Sequence, residues 1–97
     1  MSEFTVVLAP AAENDIAEAF GWYQERNATA ADAFRAEVFE TIDRLVEAPL
    51  SWPSDDEGNR TRVVKRFPYT VWFEVLGSTV TVLAIAHHRR RPGYWRR

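Results

Sequence analysis

Near residue 60 the chain changes its hydrophobic period, and this change restricts its fold more than any other feature of the sequence. Ahead of it, apolar side chains recur every three or four residues, from Ile16 to Tyr23 and again from Ala31 to Val46. That spacing belongs to helices that bury one face. After it, short runs rich in Val, Thr and aromatic residues are separated by Pro68 and by Gly77-Ser78, the composition of strands and tight turns. Helices followed by strands give an α+β domain instead of an alternating parallel one. With 97 residues, 46% of them apolar, the chain has material for one core and a single domain over 1–97.

Phe4 to Leu8 is a β-prone run, and Pro10 suits the first turn of a helix, where its missing N–H costs nothing. Ile16, Ala19, Phe20 and Tyr23 then form a helical stripe, with Glu13, Asp15 and Glu18 near the positive end of the dipole. Asn27 is expected just past this helix, and Thr29 with Asp32 has capping-box spacing for a second one. The second stripe is Ala31, Phe34, Val38, Ile42 and Leu45, with Val46 beside it. Glu40 and Arg44 make a favourable i,i+4 pair, and Pro49 stops the helix. The short link between the two predicts an antiparallel helical hairpin. Residues 49–59, with two prolines, one glycine and three consecutive acids, predict a loop under which Trp52 tucks its ring.

Three strands are expected to follow: Val63–Phe67, Tyr69–Leu76 and Thr79–Ala86, with Gly77-Ser78 as a two-residue type II′ turn. Counting from that turn sets Val75 opposite Val80, Phe73 opposite Val82 and Val71 opposite Ala84, an apolar face for the helices to cover. Thr70, Trp72, Glu74, Thr81, Leu83 and Ile85 then fall on the other face, the expected working side. The predicted order is β-α-α-β-β-β, an antiparallel-rich sheet with the helical hairpin packed on one face.

Charge divides the chain in nearly the same place. The net charge is −2, yet residues 1–57 carry 13 acids against Arg26, Arg35 and Arg44, a balance of −10. Residues 58–97 carry nine bases against Glu74, a balance of +8. Eleven of the twelve bases are arginine, whose planar fork matches phosphate and carboxylate groups. This polarity predicts a basic contact surface on an acidic body; the competing reading is charge compensation within the monomer. Compensation suits some of these charges but not the terminal cluster Arg89, Arg90, Arg91, Arg96 and Arg97, which has no acid next to it in sequence. The absence of cysteine excludes disulfides, thiolate metal sites and a cysteine nucleophile. The longest apolar run, Val80 to Ala86 with Thr81 inside it, is too short to span a bilayer, and no basic-then-apolar leader opens the chain. A cytoplasmic protein with no membrane partner is expected.

The residues from Arg62 to Phe73 read Arg-Val-Val-Lys-Arg-Phe-Pro-Tyr-Thr-Val-Trp-Phe. Val80–His87 and then Arg89-Arg90, Pro92 and Trp95 follow. An arginine-bearing strand leads through Phe-Pro-Tyr into a hairpin whose last strand ends in His, an Arg pair, Pro and Trp. This pattern resembles the RelE/ParE superfamily of bacterial type II toxins. Ala30-Ala31-Asp32-Ala33-Phe34 at the second helix and the close from Leu45 to Pro49 extend the resemblance over nearly the whole chain.

The resemblance implies a plasmid-stabilisation type of toxin neutralised by a small antitoxin with a DNA-binding N-terminal part, in a toxin–antitoxin hetero-oligomer. The antitoxin segment would use the exposed first strand edge or the groove beside the helical hairpin. RelE-like members cleave mRNA in the ribosomal A site with Lys, Arg and a C-terminal Tyr, and a related branch uses Glu, Arg, His and Tyr; ParE-like members inhibit DNA gyrase. The implied catalytic candidates are Arg62, Lys65, Arg66, His87 or His88, Arg89 and Tyr94. The implied target-binding residues are Arg62, Arg66, Trp72, His87, Arg89, Arg90 and Trp95, with Trp95 also anchoring the tail. Two departures count against the RelE-like chemistry, Ser54-Asp55-Asp56-Glu57 where lysines would be and no Tyr after the strand-end His, and the tail His-x-Arg-Arg-x-Pro-x-x-Trp from His87 to Trp95 is more similar to the ParE-like branch. Gyrase inhibition is therefore the leading expectation, ribosome-dependent mRNA cleavage the alternative, and a non-toxic antitoxin-binding relative the third. His87 and His88 point to opposite faces if both lie on a strand, so no metal or other cofactor is expected.

Overall fold

The computed structural model of the chain describes residues 3–89. Its elements are β1 (Thr5–Leu8), α1 (Pro10–Arg26), α2 (Ala28–Arg44), a 3-10 turn (Pro49–Ser51), β2 (Arg60–Val63), β3 (Tyr69–Leu76) and β4 (Thr79–His87). The order is β-α-α-β-β-β, as the change of period dictates. The sheet runs β1-β4-β3-β2; β1 lies parallel to β4 and the other pairings are antiparallel.

Both helices place their stripes on the sheet. Phe34, Val38, Ile42 and Leu45 of the second stripe are at most 1% exposed, and α1 adds Ala12, Ile16 and Ala19. Opposite them stand Val71, Phe73, Val80 and Val82, each fully buried. Every large aliphatic side chain so placed contributes about 2 kcal/mol of transfer free energy, so packing fixes which helix faces turn inward.

Local chemistry explains where the elements depart from expectation. Asn27, not Thr29, caps α2: its Oδ1 accepts the Ala30 N–H at 3.1 Å while its own N–H donates to Tyr23 O at 2.7 Å. One residue therefore ends α1 and starts α2, leaving Thr29 inside the helix. α2 stops at Arg44, short of Pro49, which is buried and opens the 3-10 turn. The second strand is Arg60–Val63 instead of Val63–Phe67. Arg66 takes a left-handed φ of 68° and the Val64 N–H donates to Tyr69 O at 2.9 Å, so residues 64–69 form a tight turn. Trp52 is not tucked beneath its loop: it is 38% exposed, with the Arg62 guanidinium 4.1 Å above its ring.

The hairpin keeps the predicted pairs Val75–Val80 and Phe73–Val82, and Gly77 supplies the positive φ of 59° that a primed turn needs. Past Phe73 the ladder skips Leu83, so that Ala84 faces Trp72, Ile85 faces Val71 and His87 faces Tyr69. Because strand side chains alternate faces, this one-residue bulge moves Ile85 from the expected working side into the core, where it is 2% exposed. The larger side chain fills the space that Ala84 would leave empty.

Candidate functional site

The end of the sheet where β3 begins and β4 stops meets the last two turns of α1. Between them lies an open cleft of about 670 Å³, lined by Glu18, Trp22 and Tyr23 of α1, by Tyr69 and His87 of the strands, and by Arg89 beyond them. The helical period puts residues 15, 18, 19, 22 and 23 on one flank of α1, which becomes one wall. The bulge in β4 brings His87 onto the same side of the sheet as Tyr69, which is buried and packs against Phe34.

Aromatic contacts build the floor. The Tyr69 ring meets His87 edge-on at 5.1 Å, and Tyr23 meets Phe67 edge-on at 5.5 Å. Trp22 stands at the mouth, 51% exposed, with the Arg26 guanidinium 3.9 Å from its ring. His87 Nδ1 accepts the Arg89 N–H at 3.1 Å, so a neutral ring carries its proton on Nε2. Partial burial raises the Tyr23 phenol pKa above the ordinary 10.0, and a hydrogen bond with Tyr69 offsets part of that rise.

The raised value favours the neutral phenol in the folded state. Its contribution to stability is present below pH 10.0 and is lost as the pH rises through the raised folded value. In an alkaline titration followed by phenolate absorbance, the component that Tyr23→Phe removes should ionise later than a free phenol.

The sequence candidates do not converge on one point. His87 and Arg89 share the cleft. Arg62 lies two strands away on the edge strand β2, paired with Val71 on the helix-facing side of the sheet and stacked on Trp52. Arg66 donates through Nε to the Glu37 carboxylate of α2 at 2.9 Å, a compensation within the monomer that joins the basic half of the chain to the acidic half. Lys65 and His88 are exposed, and the His88 N–H donates to Pro68 O. Trp72 pairs with Thr61 on the opposite face from Arg62, and the open face of β2 and β3 carries no base. The expected working side is thus not where the described cations lie. Arg90, Tyr94 and Trp95 lie outside the described residues.

A second concavity of about 700 Å³ lies on the other flank of α1, where Leu8, Ile16, Ala17, Phe20 and Phe39 line an apolar groove between Glu13 and Arg35. The sequence stripe includes Ile16 and Phe20 but assigns them to the core, so the groove is not separable from it by period alone. Trp22 and Tyr23 were missed as cleft residues for a related reason: their adjacency signals an aromatic helix end, not its partner. Among the described residues no three His, Asp or Glu side chains come together as a metal site, and no helix is long and apolar enough to cross a membrane.

The model of a family described as the ParE toxin of the type II toxin-antitoxin system parDE matches residues 6–92. The chain belongs to the ParE toxin family. A solved structure described as a chromosomal ParDE toxin-antitoxin system from P. aeruginosa shares the fold, with a TM-score of 0.79 and 20% identity. That match covers 88% of this chain and 96% of the other. No curated protein matches. In this ParE-family chain, then, the cleft and the apolar groove lie on opposite flanks of α1.

Proposed function

We propose that this ParE-family toxin inhibits DNA gyrase in the cytoplasm and is neutralised by a cognate antitoxin. The observation that carries the reading is the separation of the candidate cations: Arg62 is held on Trp52 and Arg66 on Glu37, while His87 and Arg89 lie across the sheet in the cleft. General acid–base cleavage of RNA needs its groups within hydrogen-bond reach of one phosphate. A contact surface that grips a protein target can be spread over several spots. Trp22, Tyr23, His87 and Arg89 have the composition of such a surface, aromatic with arginine at its edge.

The apolar groove suits the antitoxin. An amphipathic helix would lay its apolar side on Ile16, Phe20 and Phe39, and its polar rim would meet Glu13 and Arg35. The edge strand β1 runs beside it and offers backbone groups for strand addition.

Purified toxin should inhibit gyrase supercoiling and leave mRNA on programmed ribosomes uncut. His87→Ala and Arg89→Ala should each weaken inhibition only in part. A-site cuts lost by about 10²-fold or more in His87→Ala would instead establish acid–base catalysis, the reading that the contact between His87 and Tyr69 favours. Normal growth on induction without antitoxin would leave only the non-toxic relative.

A further inference from the structure

We propose that Asp15 is a positioning residue: it stands in for the strand that β1 is too short to supply, and so holds the His87 end of β4 against α1. β4 has nine residues, but β1 pairs with it only from Thr79 to Val82. The Ala9 N–H donates to Val82 O, and at Pro10 the chain turns into α1. From Leu83 onward the outer edge of β4 has helix α1 beside it instead of a strand. A buried N–H on that edge would be left unsatisfied, at a cost larger than an ordinary hydrogen bond returns.

The Ile85 N–H is such a group, in a residue only 2% exposed, and Asp15 Oδ2 accepts it at 3.0 Å. Asp15 is itself 8% exposed, so the bond is shielded from competing water. Its place on both elements matters. Asp15 lies on the flank of α1 that continues through Glu18 to Trp22 and Tyr23, and Ile85 lies two residues before His87. One bond thus aligns the aromatic wall of the cleft with its histidine wall. The apolar groove lies on the other flank of α1 and does not depend on it.

The functional arm of this inference rests on the cleft being the surface that inhibits growth; the geometric arm does not. In Asp15→Ala, the Ile85 amide should exchange with solvent about tenfold faster or more, while the β1-covered amides of Val80 and Val82 keep their protection. The nuclear Overhauser contact between the Tyr69 and His87 rings should weaken. Inhibitory potency should fall at least about tenfold while antitoxin affinity stays within about twofold, a split that general loss of stability would not produce. Asp15→Asn keeps an acceptor and should restore all three readouts. If Asp15→Ala does not fold, Asp15→Leu fills the same volume without an acceptor and should show the same pattern. Unchanged exchange at Ile85 would overturn the role of Asp15, as would parallel loss of antitoxin binding. Faster exchange with unchanged inhibition would instead overturn the cleft as the inhibitory surface.

Discussion

Phe34→Ala is expected to destabilise the protein by about 3–5 kcal/mol, a large part of the roughly 5–15 kcal/mol that holds a domain of this size together. Phe34 is fully buried, and it is the side chain on which the two helices and the turn before β3 converge. Its ring lies 5.2 Å from Tyr23 of α1, 5.5 Å from Phe67 of the turn and 5.1 Å from Tyr69 of β3. Truncation removes the transfer free energy of the ring and leaves a cavity that three other aromatics cannot collapse into without leaving their own contacts. The midpoint of thermal unfolding should drop by roughly 12–40 °C, the range that follows for a chain of about this length. Because Tyr69 rests on Phe34 on one side and meets His87 on the other, the cleft should loosen well below the unfolding temperature. Denaturant melts with circular dichroism would settle the point; a loss under about 1.5 kcal/mol would show that the aromatic cluster relaxes freely, contrary to close packing.

The helical half of this molecule is legible because each stripe residue reports its own depth: Ala31, Phe34, Val38, Ile42 and Leu45 are read as core, and all are buried. Pair order near the tight turn is equally legible, since Gly77-Ser78 fixes Val75 against Val80 and Phe73 against Val82. Legibility stops at Leu83, because a bulge leaves no mark on an alternating run of Val, Leu, Ala and Ile. It is chosen by the space between sheet and helices, a quantity that no local pattern encodes. The candidate site suffers from the same limit. His87 is readable as a strand-end residue, but the face it takes depends on the bulge four residues earlier. Arg62 and Arg66 are readable as cations, yet their partners Trp52 and Glu37 come from the loop and from α2. The stacking of Arg62 and the pairing of Arg66 are tertiary facts.

Phe20→Ala should weaken antitoxin binding by roughly thirtyfold while leaving the toxin folded. The ring of Phe20 is half-buried and lines the apolar groove with Ile16 and Phe39, but unlike those two it is not part of the core cluster or packed against it. Truncation therefore removes little from the core but takes an aromatic anchor out of the centre of the groove. Anchors of that kind are worth about 2 kcal/mol or more each in protein interfaces, or roughly thirtyfold in affinity. Ala17→Lys tests the same surface by addition. Ala17 is exposed on the helix, lysine is a good helix former, and Glu13 one turn earlier gives it a favourable i,i+4 partner, so the fold should tolerate it. Its stem and ammonium group would sit where an apolar helix face has to lie, and the partner would have to desolvate that charge to bind. Co-expression decides the matter. Each variant should blunt rescue of growth by the antitoxin and copurify with it less than the parent does, and Ala17→Lys, an exposed substitution, should unfold within about 1 kcal/mol of the parent. Retained copurification in both variants would move the antitoxin off this groove and leave the edge of β1 as the place to look.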